Sequence, residues 1–111
     1  MRKIGIIGLG NMGMGMAKNI MNNGFELFGH DLRKECMDEL VSSGGKGTES
    51  VAQVGIHSDV VFVMVMNGKQ VEQVVTDLAP GLKDRGTIII TATITPDEVR
   101  TSYDIALKNN I

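Results

Sequence analysis

A glycine-rich segment near the start of the chain holds the residues whose chemical use is clearest. Gly8, Gly10 and Gly13 stand in the order G-x-G-x-x-G, and the acidic Asp31 follows about 20 residues later. The first glycine permits a tight turn, the second lets a pyrophosphate approach the backbone, and the third lets a helix pack closely on a strand. The helix N-terminus offers free N–H groups to the phosphates, and the Asp31 carboxylate can accept both hydroxyls of an adenine ribose. This pattern is typical of a site for a nicotinamide dinucleotide.

Strand and helix signals flank the glycines and would position them. The apolar run 3–7 predicts a first strand, and the segment 25–30 predicts a second strand that ends just before Asp31. Between them the pattern predicts a helix over about 11–22, which Gly24 ends. Its apolar residues recur at helical spacing: Met12, Met16, Ala17, Ile20 and Met21.

Other interpretations of the glycines stay open. A glycine-rich turn that binds nothing would contain the same residues, and a flavin site uses the same fingerprint. The cluster 44–48 contains Lys46 and Thr48, but a glycine separates them and breaks the order of a phosphate loop, which favours a solvated turn. A methyltransferase loop usually has an acidic residue just before its glycines, whereas this chain has Ile6 and Ile7 there.

The middle of the chain predicts two helices joined by a short, glycine-rich extended piece. The segment 34–42 has charged residues on its outer side, and we expect Leu40 and Val41 to face inward. Thr48, which is a good N-cap residue, indicates the start of a helix over about 51–54.

The second half of the chain repeats the alternation. The run 60–66 is apolar without alternation, as a parallel strand buried on both faces requires. A helix is predicted over 68–78, a strand over 87–90, and a helix over 97–108 with Pro96 at its start. Such alternation predicts an α/β fold with a doubly wound parallel sheet, the Rossmann dinucleotide-binding arrangement.

Composition narrows the class of protein. With 111 residues, of which 42% are apolar, the chain has room for one domain with a substantial core, and most of its eight methionines are expected there. A net charge of −2 without a dense basic run argues against nucleic acid, and no apolar stretch predicts a membrane span. The single Cys36 fits a reduced, cytoplasmic setting and predicts neither a metal site nor a catalytic thiol. We expect no catalytic role for His30 or His57.

One segment also resembles a known family. Ile6-Ile7-Gly8-Leu9-Gly10-Asn11-Met12-Gly13, followed by Met16-Ala17-Lys18-Asn19-Ile20, is similar to the N-terminal signature of the β-hydroxyacid dehydrogenases. That family includes 3-hydroxyisobutyrate dehydrogenase, tartronate semialdehyde reductase, L-threonate dehydrogenase and the cofactor domain of 6-phosphogluconate dehydrogenase. The segments 59–67 and 91–96 resemble its fourth strand and its Ser-Ser-Thr-Ile-x-Pro segment. The resemblance implies the NAD(P)-binding domain of an oxidoreductase that transfers hydride between nicotinamide and a small β-hydroxy acid.

The candidate cofactor residues lie at the predicted strand ends. The N–H groups of Asn11 and Met12 should donate to the pyrophosphate, and Asp31 should bind the adenosine ribose. A 2′-phosphate would face that carboxylate repulsively, so NAD is expected over NADP. Arg33 complicates this expectation, because its guanidinium could hold a phosphate if Asp31 turned away. The predicted phosphate loop comprises Gly8, Leu9, Gly10, Asn11, Met12 and Gly13.

The resemblance adds four candidates. It implies that Met64 and Val65 contact the nicotinamide side, that Gln70 is a polar cofactor contact, and that Thr93 lies near the nicotinamide ribose. An ordinary alternation of β-branched residues would explain Thr93 equally well. The family's acidic residue before this segment is replaced by Ile90 here.

Members of the family are two-domain enzymes, in which a Lys and an Asn from a later helical domain handle the hydroxyl proton. This chain stops at Ile111, where the next strand would begin, so we expect the helical substrate domain to be absent. Residues 1–111 would then bind the cofactor without turning over the hydroxy acid, and no catalytic residue is assigned. The full-length enzyme is expected to be a homo-oligomer. The alternative is a complete, stand-alone dinucleotide-binding regulatory module without catalysis.

Overall fold

The computed structural model describes residues 3–64, 68–82 and 86–90. Along them, five strands alternate with four helices, and every strand pairing is parallel in the order β3-β2-β1-β4-β5. The predicted α/β fold with a doubly wound parallel sheet is confirmed. The elements are β1 (Lys3–Ile7), α1 (Asn11–Asn22), β2 (Glu26–His30), α2 (Lys34–Ser42), β3 (Lys46–Gly47), α3 (Val51–His57), β4 (Val60–Val63), α4 (Gly68–Leu78) and β5 (Thr87–Ile90).

The central strand β1 sets the level at which its neighbours end. Ile7 lies opposite His30 in β2 and opposite Val63 in β4. The loops that follow these three strands therefore leave the sheet at the same edge. In open parallel sheets, ligands bind in the crevice beyond this edge, where the strand order reverses.

Each face of the sheet carries its own apolar cluster, because successive side chains of a strand point to opposite faces. On the side of α1 and α2 the buried residues are Ile4, Ile6, Leu9, Met14, Ala17, Leu27 and Leu40. On the side of α3 and α4 they are Ile7, Val54, Val61, Val63, Val71, Val74, Val75, Leu78 and Leu82. Burial on both faces explains the continuous apolar run of β4.

Helix α2 differs from the prediction on its inward face. Leu40 is fully buried, and Cβ atoms at Gly29 and Gly45 would each lie 2.6 Å from its methyl carbons. Leu40 thus fills the space that these two glycines leave open. The expectation that Val41 also faces inward is wrong, since its side chain is 58% exposed one residue further round the helix.

The start of α3 also differs from the prediction. The N-cap is Ser50, whose side chain accepts a hydrogen bond from the Gln53 N–H. Thr48 lies too early to cap the helix, because its own N–H still donates to the Gly29 carbonyl of β2. The helix continues past the predicted residue 54, and His57 is its last residue.

The remaining boundaries agree closely with the predictions. The helices over 11–22, 34–42 and 68–78 and the strand over 87–90 begin and end where expected. Strand β4 ends at Val63, and the rest of the predicted run to residue 66 lies mainly outside the described residues. The predicted helix over 97–108 lies outside them altogether.

Candidate functional site

The turn after β1 requires two of the three motif glycines. Gly8 has φ of 96°, a backbone conformation that residues with a Cβ rarely adopt, and its N–H donates to the His30 carbonyl at 3.0 Å. A Cβ at Gly13 would overlap the carbonyl oxygen of Gly8. The first turn of α1 therefore lies directly against the loop, as the motif predicts.

Helix α1 presents its N-terminus at this loop without a side-chain cap. Gly10 is the N-cap residue, and its carbonyl accepts a hydrogen bond from Met14 N–H at 2.8 Å. The N–H groups of the first turn, including those of Asn11 and Met12, have no acceptor within the helix. They form a site of positive potential for an anion. The Met12 side chain is 79% exposed beside it, so this methionine does not belong to the core.

Asp31 follows β2 directly and is bound to the loop after β1. Its Oδ2 accepts a hydrogen bond from the Leu9 N–H at 2.7 Å, and its Oδ1 accepts one from the Arg33 N–H at 2.8 Å. The Arg33 guanidinium adds a bond from Nε to Oδ1 and one from Nη2 to Oδ2, both at 3.0 Å. The Asp31 side chain is only 8% exposed, whereas that of Arg33 is 55% exposed.

These contacts keep Asp31 ionised. Burial raises the pKa of the carboxyl. The hydrogen bonds from the Arg33 side chain and from the Leu9 and Arg33 N–H groups outweigh this effect and lower the pKa to about 2. The hydrogen bond and charge of Asp31 raise the pKa of Arg33 above its already high value. The site thus contains a permanently charged pair near neutral pH.

A cavity of about 410 Å³ opens beside this pair, between α1 and α2. Lys18 and Glu39 both line it and form an exposed ion pair at 2.9 Å that links the two helices. Burial raises the pKa of the Cys36 thiol in its wall, which disfavours the reactive thiolate. Further lining residues are Leu9, Gly10, Met14, Gly15 and Arg33.

The other predicted contacts are only partly described. Met64 follows β4, and its N–H donates to the Ile7 carbonyl at 2.8 Å, which places it next to the glycine loop. Gln70 is an exposed residue in the first turn of α4. Val65 and Thr93 lie outside the described residues.

The two histidines have structural surroundings. His30 Nδ1 lies 3.2 Å from the Thr48 carbonyl oxygen. The His57 ring stacks on Phe28, with ring centroids 5.1 Å apart and planes inclined by 9°. His30 ends β2 beside the glycine loop, but its imidazole contacts the main chain of Thr48. His57 is the last residue of α3, away from that edge.

The cluster 44–48, weighed as an alternative phosphate loop, is also structural. Lys46 forms an ion pair with Glu26, and the Thr48 hydroxyl donates to the Ser50 carbonyl. Both side chains that a phosphate loop would direct at its ligand thus bond to the protein itself. Within 3–64, 68–82 and 86–90, no three metal-binding side chains converge, and none of the helices has the length and apolarity to cross a bilayer.

Sequence reasoning missed how closely the two halves of the site are joined. It predicted Asp31 as a ribose anchor but not its bond to Leu9 N–H or its double contact with the Arg33 side chain. The spacing of Asp31 and Arg33 was a usable signal, because an Arg two residues after an Asp can reach back to its carboxylate. Lys18 as a cavity-lining residue had no comparable signal.

Comparison with known proteins gives the family context of this site. Residues 3–111 match the family model described as the NAD binding domain of 6-phosphogluconate dehydrogenase. The chain is 36% identical over 98 residues to L-threonate dehydrogenase from Cupriavidus necator, covering 86% of this chain and 33% of that protein. It is 32% identical over 100 residues to the mitochondrial 3-hydroxyisobutyrate dehydrogenase of Drosophila melanogaster, covering 89% of this chain and 31% of that protein.

A solved structure extends the likeness to the fold. The 3-hydroxyisobutyrate dehydrogenase of Mycobacterium tuberculosis superposes with a TM-score of 0.93 at 25% identity, covering 99% of this chain and 38% of that one. The chain spans about a third of the length of the curated relatives it matches.

Proposed function

Since the chain belongs to the family of NAD-binding domains typified by 6-phosphogluconate dehydrogenase, we propose that it is the cofactor-binding domain of an NAD-dependent dehydrogenase of a small β-hydroxy acid. One observation carries the proposal. The uncapped N-terminus of α1 and the Asp31 carboxylate follow the adjacent strands β1 and β2, which end side by side. The Leu9 N–H in the loop before α1 donates a hydrogen bond to Asp31 Oδ2 at 2.7 Å. This bond holds the proposed phosphate site and the proposed ribose-binding carboxylate in a fixed position relative to each other.

The residues present fit a dinucleotide. Gly10 places no side chain at the approach to the first turn, and a Cβ there would meet only the exposed Arg33 side chain at 3.6 Å. The pyrophosphate would accept hydrogen bonds from the N–H groups of Asn11 and Met12, and Asp31 would accept the ribose hydroxyls. Bound NAD would supply the hydride acceptor for oxidation of the alcohol carbon.

We assign the nicotinamide half of the site to residues that follow β4 in the chain. Met64 lies next to the glycine loop, and Gln70 stands in the first turn of α4, at the same edge of the sheet. We assign Val65 and Thr93 to the same half on the family resemblance alone.

Asp31 also underlies a preference for NAD. Because its carboxylate is ionised and largely buried, it would repel the 2′-phosphate of NADP while accepting the free 2′-hydroxyl of NAD. NADP is therefore proposed as the weaker ligand.

The substrate and assembly of the whole enzyme are proposed from the relatives. The proteins named L-threonate dehydrogenase and 3-hydroxyisobutyrate dehydrogenase support a small hydroxy acid as substrate. We place the proton-transferring Lys and Asn, and the main homo-oligomer contacts, in a helical substrate domain outside this chain. The single Cys36 is compatible with the cytoplasmic location that we propose.

Calorimetric titration with NADH and with NADPH tests the proposal. A hydrogen bond to a charged group contributes roughly 1.5–3 kcal/mol, so Asp31→Ala should weaken NADH binding by about one to two decades. The matched control is Asp38→Ala, which removes the same charge from an exposed position in α2 and should leave the affinity nearly unchanged. Failure of the unaltered chain to bind either nucleotide would contradict the proposal. Equal affinities for the two would contradict the preference for NAD.

A further inference from the structure

We propose that Arg33 is a specificity-determining residue of this site, because its guanidinium covers the ribose-binding face of Asp31 and must be displaced when a dinucleotide binds. The inference rests on the proposed function and adds to it. The carboxylate of Asp31 favours NAD over NADP, and Arg33 reduces this preference.

The first argument is the number of hydrogen bonds that Asp31 already accepts. A carboxylate offers about four acceptor positions, and the structure fills them with the N–H groups of Leu9 and Arg33 and with Nε and Nη2 of the Arg33 side chain. The two main-chain donors belong to the fold and stay in place. A ribose needs two acceptor positions for its hydroxyls, and those occupied by the guanidinium are the ones that can be vacated.

The second argument is the position of the guanidinium. Nη2 of Arg33 is the nearest atom to a Cβ built on Gly10, at 3.6 Å, so the guanidinium lies beside the second motif glycine. That glycine is the point at which the dinucleotide backbone must come close to the protein. The Arg33 side chain therefore lies where the ribose and pyrophosphate would meet.

The third argument is that the side chain can leave without disturbing the fold. It is 55% exposed, and the Arg33 N–H remains bonded to Asp31 Oδ1 whatever the guanidinium does. Arg33 is also the N-cap residue of α2 with extended backbone and no side-chain cap bond, so α2 does not depend on the guanidinium.

The consequences for the two dinucleotides are opposite. NAD binds only after the ion pair opens, so its apparent affinity is reduced by the fraction of molecules in which Asp31 is uncovered. For NADP the same opening is required, but the displaced guanidinium then lies beside the 2′-phosphate and can pair with it bidentately. Arg33 thus weakens NAD binding and partly offsets the repulsion of NADP by Asp31.

The test is a calorimetric titration of NADH and NADPH into the unaltered chain, Arg33→Met and Lys34→Met. Met keeps the length of the stem but removes the charge, and Lys34→Met removes the same charge from the adjacent exposed residue. Because the guanidinium is largely exposed, its pairing with Asp31 is weak, and Arg33→Met should bind NADH up to about fivefold more tightly. It should bind NADPH more weakly than the unaltered chain, whereas Lys34→Met should shift both affinities in the same direction. Arg33→Lys should fall between, because an ammonium cannot pair with both carboxylate oxygens in the same planar geometry.

The outcomes separate this inference from the proposed function. If the unaltered chain binds NADH and Asp31→Ala binds it about one to two decades more weakly, but Arg33→Met fails to tighten NADH binding, the role of Arg33 is overturned and the proposed function stands. If Arg33→Met binds NADH and NADPH more tightly by the same factor, the claim that Arg33 pairs with the 2′-phosphate is overturned. If neither the unaltered chain nor Arg33→Met binds a dinucleotide, both proposals fail. Thermal unfolding of each variant by circular dichroism shows that the comparison is made between folded chains.

Discussion

Gly13 lies so close to Gly8 that a Cβ at position 13 would overlap the Gly8 carbonyl oxygen. The closeness of these two residues brings the first turn of α1 against the end of β1. It also fixes the direction in which the free N–H groups of that turn point. The anion site therefore depends on a backbone contact that only glycine at position 13 permits.

Replacement of Gly13 should affect stability and binding together. Gly13→Ala forces α1 away from the loop and should lower the free energy of unfolding by about 2–3 kcal/mol. NADH binding should be lost as well. The control is Gly15→Ala in the same helix, where a Cβ meets nothing within 4 Å. That variant should be more stable by about 0.5–1 kcal/mol. Urea unfolding followed by circular dichroism measures the stability of both variants. A Gly13→Ala chain as stable as the unaltered chain would show that the close approach of residues 13 and 8 is unimportant.

Two serines that flank α3 should respond in opposite ways. Ser50 Oγ accepts the Gln53 N–H at 3.2 Å, so Ser50→Ala should cost about 1 kcal/mol of stability. The buried hydroxyl of Ser58, by contrast, has no hydrogen-bond partner among the described residues. Ser58→Ala removes this unsatisfied group and should leave stability unchanged or increase it. Thermal melts of the two variants test this, and a larger loss for Ser58→Ala would contradict the assignment.

Acid should weaken the fold through Asp31. Its pKa falls from 3.8 to about 2 on folding, so the ionised carboxylate stabilises the native state above about pH 4. That contribution is lost as the pH falls through about 2. Because the partner guanidinium is largely exposed to solvent, we expect the ionised carboxylate to contribute about 1–2 kcal/mol to the free energy of unfolding. Urea midpoints measured between pH 6 and 2 should fall less steeply for Asp31→Asn. Parallel curves for the two chains would contradict this role.

The chain alone should bind NAD without oxidising a hydroxy acid. The described residues at the site supply N–H donors and a carboxylate for the cofactor, and we assign the proton-transferring Lys and Asn to a part of the enzyme outside this chain. Absorbance at 340 nm should stay constant when the chain is mixed with NAD and either L-threonate or 3-hydroxyisobutyrate. A steady rise that Asp31→Ala abolishes would contradict the assignment.

Local patterns made most of the fold predictable. The glycine motif and Asp31 identified the ends of β1 and β2 because each residue there meets a backbone requirement that shows in the sequence. The apolar periodicity of α4 and the β-branched run of β5 gave the bounds of these elements directly. In these segments, local preference and tertiary packing favour the same structure.

Contacts between distant residues account for what was missed. Val41 looks as suitable for the core as Leu40, and only the space left by two glycines in other segments decides between them. Thr48 and Ser50 are both good caps, and the bond of Thr48 N–H to the Gly29 carbonyl of β2 excludes the first. The Arg33 side chain has several rotamers, and its choice follows from the position of Asp31.

The sheet order has a consequence for how the site opens. Strand β1, which leads into the glycine loop, is paired along both edges, whereas β2, which leads into Asp31, has the two-residue β3 as its outer neighbour. Local unfolding begins where such pairing is sparse. Amide hydrogen exchange near β3 should therefore be fast and should spread first to β2. The ribose anchor would loosen while the phosphate loop stays ordered, so a departing dinucleotide would release its adenosine end first.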